Sequence, residues 1–262
     1  MTPLTPTELA ALAQIALVAA REAGAVVARG WRQRPIAEHK GRVDLVTKYD
    51  RESEALLRDR LARETRFAFV GEEGGGAAGD APAWYVDPLD GTTNFVHGHP
   101  FYCVSVGLAI GGAPLAGAVV APALALEWTG HTGAATRNGE ACRVSETGSF
   151  GDALLATGFP YERNDDRTNN FAQFVAIKKK CRAVRRCGAA AIDLCMVADG
   201  TYDGYWEQQL HAWDMTAGSA IVLGAGGRLS KYDGSAADVT SRQMLATNGR
   251  IHDALVAALA AV

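Results

Sequence analysis

Apolar positions recur at helical spacing near the start of the chain, at Leu9, Leu12, Ala16 and Ala19-Ala20. Ahead of them Thr5-Pro6-Thr7-Glu8 forms a capping box with proline at the first helical position, so a long amphipathic helix is predicted over 6–31. His39-Lys40-Gly41-Arg42 is polar and reads as an exposed loop. Asp44-Leu45-Val46-Thr47 then leads into a second helix over 49–64, with Leu56, Leu57 and Leu61 on one face. A short strand at 67–70 ends at Gly71-Glu72-Glu73-Gly74-Gly75-Gly76. From Ala83 to Arg143 short apolar runs separated by turn residues predict strands at 102–110, 114–120 and 126–129. Asn138-Gly139 is a two-residue hairpin signal. The first half therefore reads as two helices against an antiparallel sheet.

Beyond Ser149 the pattern alternates. Strands are predicted at 153–157, 183–184, 204–206, 228–230 and 244–247, and helices at 168–180, 189–198, 213–223 and from Ile251 onward. The fold class is α/β, with an α+β half over 1–145 and an α/β half over 146–262. No Gly/Ser-rich or Pro-rich linker separates them, so one continuous body is expected.

Composition narrows the function. The 262 residues are 48% hydrophobic, enough for a full core. A net charge of −3 and a pI near 6.1 argue against a general nucleic-acid binder. The one basic run, Lys178-Lys179-Lys180-Cys181-Arg182 with Arg185 and Arg186, reads as a solvated helix face or a subunit contact. No secretory signal and no apolar stretch long enough to span a bilayer are apparent, which predicts a protein without a membrane anchor. The five cysteines lack a Cys-x-x-Cys pair and read as core residues in a reducing compartment, so the cytoplasm is expected.

The chemistry concentrates in Trp84-Tyr85-Val86-Asp87-Pro88-Leu89-Asp90-Gly91-Thr92-Thr93-Asn94-Phe95. An apolar run delivers two carboxylates, three residues apart, to what reads as a rigid turn, with two hydroxyls following. Paired carboxylates repel unless a proton or cation lies between them. Carboxylate, carbonyl and hydroxyl oxygens suit Mg²⁺, which points to metal-assisted attack of water on a phosphate ester. Further carboxylates stand at element ends: Glu72 and Glu73 after a strand, Asp50 and Asp214 at helix starts, where capping is their ordinary role. His97, His99 and His211 lack metal-ligand spacing and read as structural.

Gly71-Glu72-Glu73, Asp87 to Phe95, and Trp213-Asp214-Met215-Thr216-Ala217-Gly218 with Ala225-Gly226-Gly227 together resemble the inositol monophosphatase family. The likeness extends through Asp44-Leu45-Val46-Thr47-x-x-Asp50 and Gly204-Tyr205-Trp206-Glu207, and so covers nearly the whole chain. It implies a layered αβαβα sandwich, a homodimer, and an Mg²⁺-dependent, Li⁺-sensitive hydrolase using two to three ions. By the same resemblance Glu72, Asp87, Asp90, Asp214 and the Leu89 carbonyl are the metal ligands. Asp87 bridges two ions, and Glu73 stands behind the ligands, supporting a third. Thr92, with Asp50 behind it and Glu72 beside it, orients and deprotonates a water that attacks phosphorus in line. Gly91, Thr92 and Thr93 hold phosphate oxygens, and Asp214 anchors the ion nearest the leaving group.

The substrate pocket implied by the resemblance comprises Asp90, Glu207 and the backbone of Gly188-Ala189-Ala190. Ala189 stands where relatives carry threonine or serine, so one polar contact is missing. Lys40-Gly41-Arg42 is a candidate lid. The expected reaction is hydrolysis of a small polyol monophosphate, inositol 1-phosphate first. Histidinol phosphate, fructose 1,6-bisphosphate and a 3′-phosphonucleotide are the alternatives. A different class, a regulatory partner of the transcription machinery, has only the basic run at 178–186 behind it.

Overall fold

The computed structural model describes residues 4–39, 45–161, 164 and 168–262; the candidate lid Lys40-Gly41-Arg42 lies outside them. In chain order the elements are α1 (Pro6–Ala28), β1 (Ala37–His39), β2 (Leu45–Thr47), α2 (Lys48–Glu64), β3 (Ala68–Gly71), β4 (Ala83–Asp90) and α3 (Thr92–His97). They continue with β5 (Cys103–Ile110), β6 (Ala113–Ala121), β7 (Leu126–His131), β8 (Ala134–Arg137), β9 (Glu140–Ala141), β10 (Leu154–Thr157), α4 (Phe171–Lys178) and β11 (Ala183–Arg185). The chain ends with α5 (Ala190–Ala198), β12 (Gly204–Gln208), α6 (Ala212–Gly224), β13 (Arg228–Ser230), β14 (Gln243–Thr247) and α7 (His252–Ala260).

These elements stack as five layers. The outer pair α1 and α2 covers one face of a seven-stranded sheet, in the order β3-β4-β5-β6-β7-β8-β9. Its other face carries α5 and α6, which are in turn covered by a five-stranded sheet, β11-β10-β12-β14-β13. Helices α4 and α7 close the far side over Leu155, Trp206 and Leu245, with Ile177 and Leu255 as their own contributions. This is the expected αβαβα order. The central cluster joins Cys103, Val119 and Trp128 of the first sheet to Ile192, Leu194 and Met215 of the helices and Tyr205 and Ala246 of the second sheet.

Local chemistry explains most of the boundaries. Thr5 and Glu8 close the predicted capping box at α1, with Thr5 N donating to Glu8 Oε2 at 2.7 Å. Asn138 and Gly139 both have positive φ, 50° and 82°, as a two-residue hairpin between β8 and β9 requires. Helix α1 stops at Ala28 rather than Trp31: Gly30 N and Trp31 N donate three residues back, to Val27 O at 2.9 Å and Ala28 O at 3.3 Å, a tightened last turn before left-handed backbone at Arg32. Helix α4 starts at Phe171 rather than Thr168, after left-handed Asn170. Contrary to expectation, α1 is long and apolar enough by length and composition to cross a bilayer. In this fold it is a core helix, with Ala16, Ala19, Ala20 and Ala23 fully buried.

Two further departures position the site. The first sheet is not wholly antiparallel, since β3 runs parallel to β4, with Gly71 beside Val86. Glu72 therefore leaves the sheet at the same edge as Asp87. The Asp87-Pro88-Leu89-Asp90 segment is also no free turn but the bulged end of β4. Between Asp87, opposite Ser105, and Asp90, opposite Cys103, β4 spends three steps where β5 spends two. Residues three apart in a regular strand face opposite sides; the extra residue restores both aspartates to one face. On the neighbouring strands Gly107 and Gly117 are directly paired. A Cβ on either would lie within 3 Å of the Ala217 backbone, so the glycine pair lets α6 settle onto the sheet.

One buried histidine makes stability depend on pH. His252 is fully buried, Nε2 2.9 Å from Ser230 Oγ and Nδ1 2.8 Å from Thr247 Oγ1. Burial, reinforced by Arg228, lowers its pKa from 6.5 to about 4. A folded pKa below the unfolded one means that the stability is fully present above about pH 6.5 and is lost as pH falls towards 4. Urea midpoints of the wild type should therefore fall more between these limits than those of His252→Gln; parallel slopes would refute this.

Candidate active site

The carboxylates meet at one end of the seven-stranded sheet, around a cavity of about 660 Å³. Its wall includes Glu72, Asp87, Leu89, Asp90, Gly91, Thr92, Thr93, Gly188, Ala189, Ala190, Glu207 and Asp214, which the sequence points to. Asp50 and Glu73, also anticipated, stand off the wall. Asp50 lies directly behind Thr92, whose Oγ1 is 3.1 Å from Asp50 Oδ1, whereas Glu73 donates its backbone N–H to Glu54 Oε2 at 2.8 Å.

Asp87, Asp214, Asp50 and Glu207 are held by their own segments, Asp90 by other elements. Asp87 Oδ1 accepts from Leu89 N at 2.9 Å, closing the bulge on itself. Asp90 Oδ2 accepts from Ala191 N at 2.8 Å, in the first turn of α5, and from Cys103 Sγ at 3.7 Å. Asp214 Oδ2 accepts from His211 N at 2.7 Å, and Asp50 Oδ2 from Thr47 N at 2.8 Å and Thr47 Oγ1 at 2.6 Å. The last two are helix-capping contacts, so capping and the cluster use the same carboxylates. Glu207 Oε2 accepts from Tyr205 O–H at 2.6 Å and lies so close to Gly158 that a Cβ there would overlap it. Gly91, with φ of 88°, turns the chain from β4 into α3 where a Cβ would stand 2.9 Å from Phe101 O.

Burial and mutual repulsion set the electrostatics. Burial first, then Glu72, Asp90 and Asp214 raise the Asp87 pKa well above the ordinary carboxylate range. Asp214 is raised likewise by burial and then by Asp90. Asp90 is pushed up to about 7, chiefly by burial with Glu207 and Glu72 adding, against the Ala191 N–H. Glu207 also reaches about 7 through burial, opposed by the Tyr205 hydroxyl and Arg186. Burial raises Asp50, opposed by the hydrogen bonds it accepts from Thr47, Thr92 and its own backbone. Among the described residues, Arg186 is the only lysine or arginine on the cavity wall.

Such a set of all-oxygen donors in mutual coulombic reach fits a hard divalent cation. Among the described residues no three His, Cys, Asp or Glu side chains form a complete metal-binding group by themselves. Water and phosphate oxygens are the natural remainder of an Mg²⁺ shell.

Other wall residues carried little signal in the sequence. Phe159, Pro160, Tyr161 and Arg186 form one side, with the Arg186 guanidinium 5.9 Å from the Phe159 ring centroid. Asn94 Nδ2 ties α3 to the 187–188 turn by donating to Phe101 O at 2.7 Å and Cys187 O at 2.8 Å. His97 and His211 reach the wall, His211 stacked on Trp213 at 4.7 Å; His99 does not. Asp193 on α5 is buried, with Oδ1 lacking a hydrogen-bond partner among the described residues and its pKa raised by burial and then Glu207.

This layered body and its acidic cleft define a hydrolase of the phosphomonoesterase class. More narrowly, residues 8–262 match the inositol monophosphatase family, and the chain belongs to that family. An inositol-1-monophosphatase of Synechocystis sp. is 42% identical over 262 residues, covering 98% of this chain and 91% of that protein. The Nus factor SuhB of Pseudomonas aeruginosa is 37% identical over 252 residues, covering 92% of this chain and 93% of its own. The solved inositol monophosphatase of Anabaena (Nostoc) sp. matches with a TM-score of 0.88 at 38% identity, over 97% of both chains.

Proposed function

We propose that the protein is an Mg²⁺-dependent phosphatase of a small polyol monophosphate, with inositol 1-phosphate as the favoured substrate. The observation that carries this reading is the convergence of Glu72, Asp87, Asp90 and Asp214 on one wall, with the Thr92–Asp50 pair beside them. Those four carboxylates and the Leu89 carbonyl would hold the ions. Bound Mg²⁺ would supply the positive charge that acidifies water and balances the phosphate oxygens.

The chain's own groups do the rest. Thr92 Oγ1 has one proton and two acceptors, Asp50 Oδ1 and Leu89 O at 2.9 Å. With that proton turned towards Asp50, an oxygen lone pair is left to accept from the attacking water, which Glu72 flanks. Gly91, Thr92 and Thr93 line the same wall and would position the phosphate for in-line displacement. Across the cavity, Glu207 would accept a hydrogen bond from a substrate hydroxyl, while Ala189 offers no side-chain hydroxyl there. The names of the Synechocystis and Anabaena relatives support inositol phosphate as the ester. A homodimer in the cytoplasm remains part of this reading.

The exposed residues Lys178, Lys179, Lys180, Arg182 and Arg185, together with the likeness to a Nus factor, support a second role as a binding partner in transcription. Phosphate release from inositol 1-phosphate, histidinol phosphate, fructose 1,6-bisphosphate and 3′-phosphoadenosine 5′-phosphate, with and without Mg²⁺ and Li⁺, tests the first reading. The highest kcat/KM is expected for inositol 1-phosphate, with Mg²⁺ required and Li⁺ inhibiting. No release from any ester by folded, Mg²⁺-loaded protein would overturn the reading and favour the second role.

A further inference from the structure

Helix α2 turns an unusual face to the site. Asp50, Ser53 and Glu54 are all buried on it, at positions i, i+3 and i+4, and Leu57 and Leu61 continue the same face into the core. Each polar residue grips a different segment. Asp50 holds Thr92, and Ser53 Oγ donates to Pro88 O at 2.8 Å, inside the β4 bulge. Glu54 spans the loop after β3: Oε2 accepts from Glu73 N and Oε1 from Gly74 N, each at 2.8 Å.

A carboxylate only 4% exposed is costly to bury unless its oxygens are satisfied. Here the two backbone N–H groups and the Arg58 guanidinium, 3.1 Å from Oε1, satisfy it, and Arg58 is itself packed 4.2 Å from the Phe69 ring centroid. The loop is shaped to receive the carboxylate. A Cβ at Gly71 would fall 2.4 Å from Glu54 Oε2, and one at Gly74 2.5 Å from Oε1. Gly71 and Gly75 pinch the loop shut through Gly71 N donating to Gly75 O at 3.2 Å. The residue so fixed, between Gly71 and Glu73, is Glu72.

We propose that Glu54 is a positioning residue that fixes Glu72 for cation binding, an inference that rests on the phosphatase reading above. Glu54 itself lies off the cavity wall and touches no substrate. A glutamine can accept one N–H but presents an amide to the second, and an aspartate is one methylene short of spanning both. Removing such a supporting contact typically costs about 10–100-fold in metal affinity.

Isothermal titration of the metal-free full-length protein with Mg²⁺ alone should give a Kd about tenfold or more weaker in Glu54→Gln than in the wild type. Saturating Mg²⁺ should bring kcat back towards wild type with the substrate KM unchanged. Gly74→Ala, which crowds the same carboxylate from the loop side, should reproduce the weaker Kd, and Glu54→Asp provides a charge-retaining variant if Glu54→Gln does not fold. An unchanged Kd in folded variants, whatever their thermal midpoint, would overturn the proposal and leave Glu54 a purely structural anchor. Wild-type protein that neither binds Mg²⁺ nor releases phosphate would instead overturn the phosphatase reading, and this inference with it.

Discussion

Asp90→Asn is expected to lower Mg²⁺-dependent phosphate release by about 10³-fold or more, while making the metal-free protein harder to unfold. The amide oxygen can still accept the Ala191 N–H that now reaches Asp90 Oδ2 at 2.8 Å, so α5 keeps its link to the end of β4. What disappears is the charge. In the metal-free fold the Asp90 pKa stands at about 7 against an ordinary 3.8, from burial above all. An unfolded chain ionises this group several pH units earlier, so the penalty to folding is absent below about pH 4 and complete above about pH 7. Asparagine never carries it. In a chelator at about pH 8 the variant should therefore melt above the wild type, and the gap should close as pH approaches about 4. Adding Mg²⁺ should reverse the order, because only the wild type retains the full acidic set. A variant that keeps more than about a tenth of wild-type activity would remove Asp90 from the cation site. A midpoint below wild type in chelator would mean that its role is structural.

The properties that make Asp90 informative were only half legible in the sequence. Residue identity was enough to mark it, and helix periodicity, the Thr5–Glu8 capping box and the Asn138-Gly139 turn outlined individual elements, whereas the layer order was implied only by the family resemblance. Strand geometry was not. Asp87 and Asp90 read as a turn because proline and glycine dominate the local signal, whereas the pairing with Ser105 and Cys103 makes the segment a bulged strand end. That register depends on β5, which local sequence cannot see. The parallel β3–β4 pair was hidden for the same reason: the direction of a strand is decided by its crossover, here the glycine-rich segment after Gly71. Glu54 was invisible for a different reason. Beside Leu57 and Leu61 a glutamate reads as an exposed position at the edge of an apolar face, yet its partners are backbone N–H groups that leave no trace in side-chain pattern. The Gly107–Gly117 pair did leave a trace, two glycines in apolar strands, which marks close approach by another backbone.

Replacing Thr92 by alanine should lower kcat by about 10²–10⁴-fold with little change in Mg²⁺ affinity, and serine should restore most of the loss. The contrast isolates the hydroxyl from the metal ligands. Thr92 is buried at the start of α3, and its Oγ1 lies 3.1 Å from Asp50 Oδ1 and 2.9 Å from Leu89 O. Serine can reproduce both contacts, whereas alanine removes the Thr92 donor from Asp50 and leaves the donors from Thr47 at 2.8 and 2.6 Å in place. Burial already raises the Asp50 carboxyl, and the Thr92 hydroxyl is one of the groups opposing that rise. Asp50 must be ionised to draw the hydroxyl proton, so the alanine variant, which has no hydroxyl, should lose that acidic limb from its residual kcat profile while the serine variant keeps it. A rate loss below about tenfold would exclude the hydroxyl from proton handling. A large loss accompanied by an equally large loss of Mg²⁺ binding would place Thr92 with the cation instead, through the Leu89 carbonyl it holds.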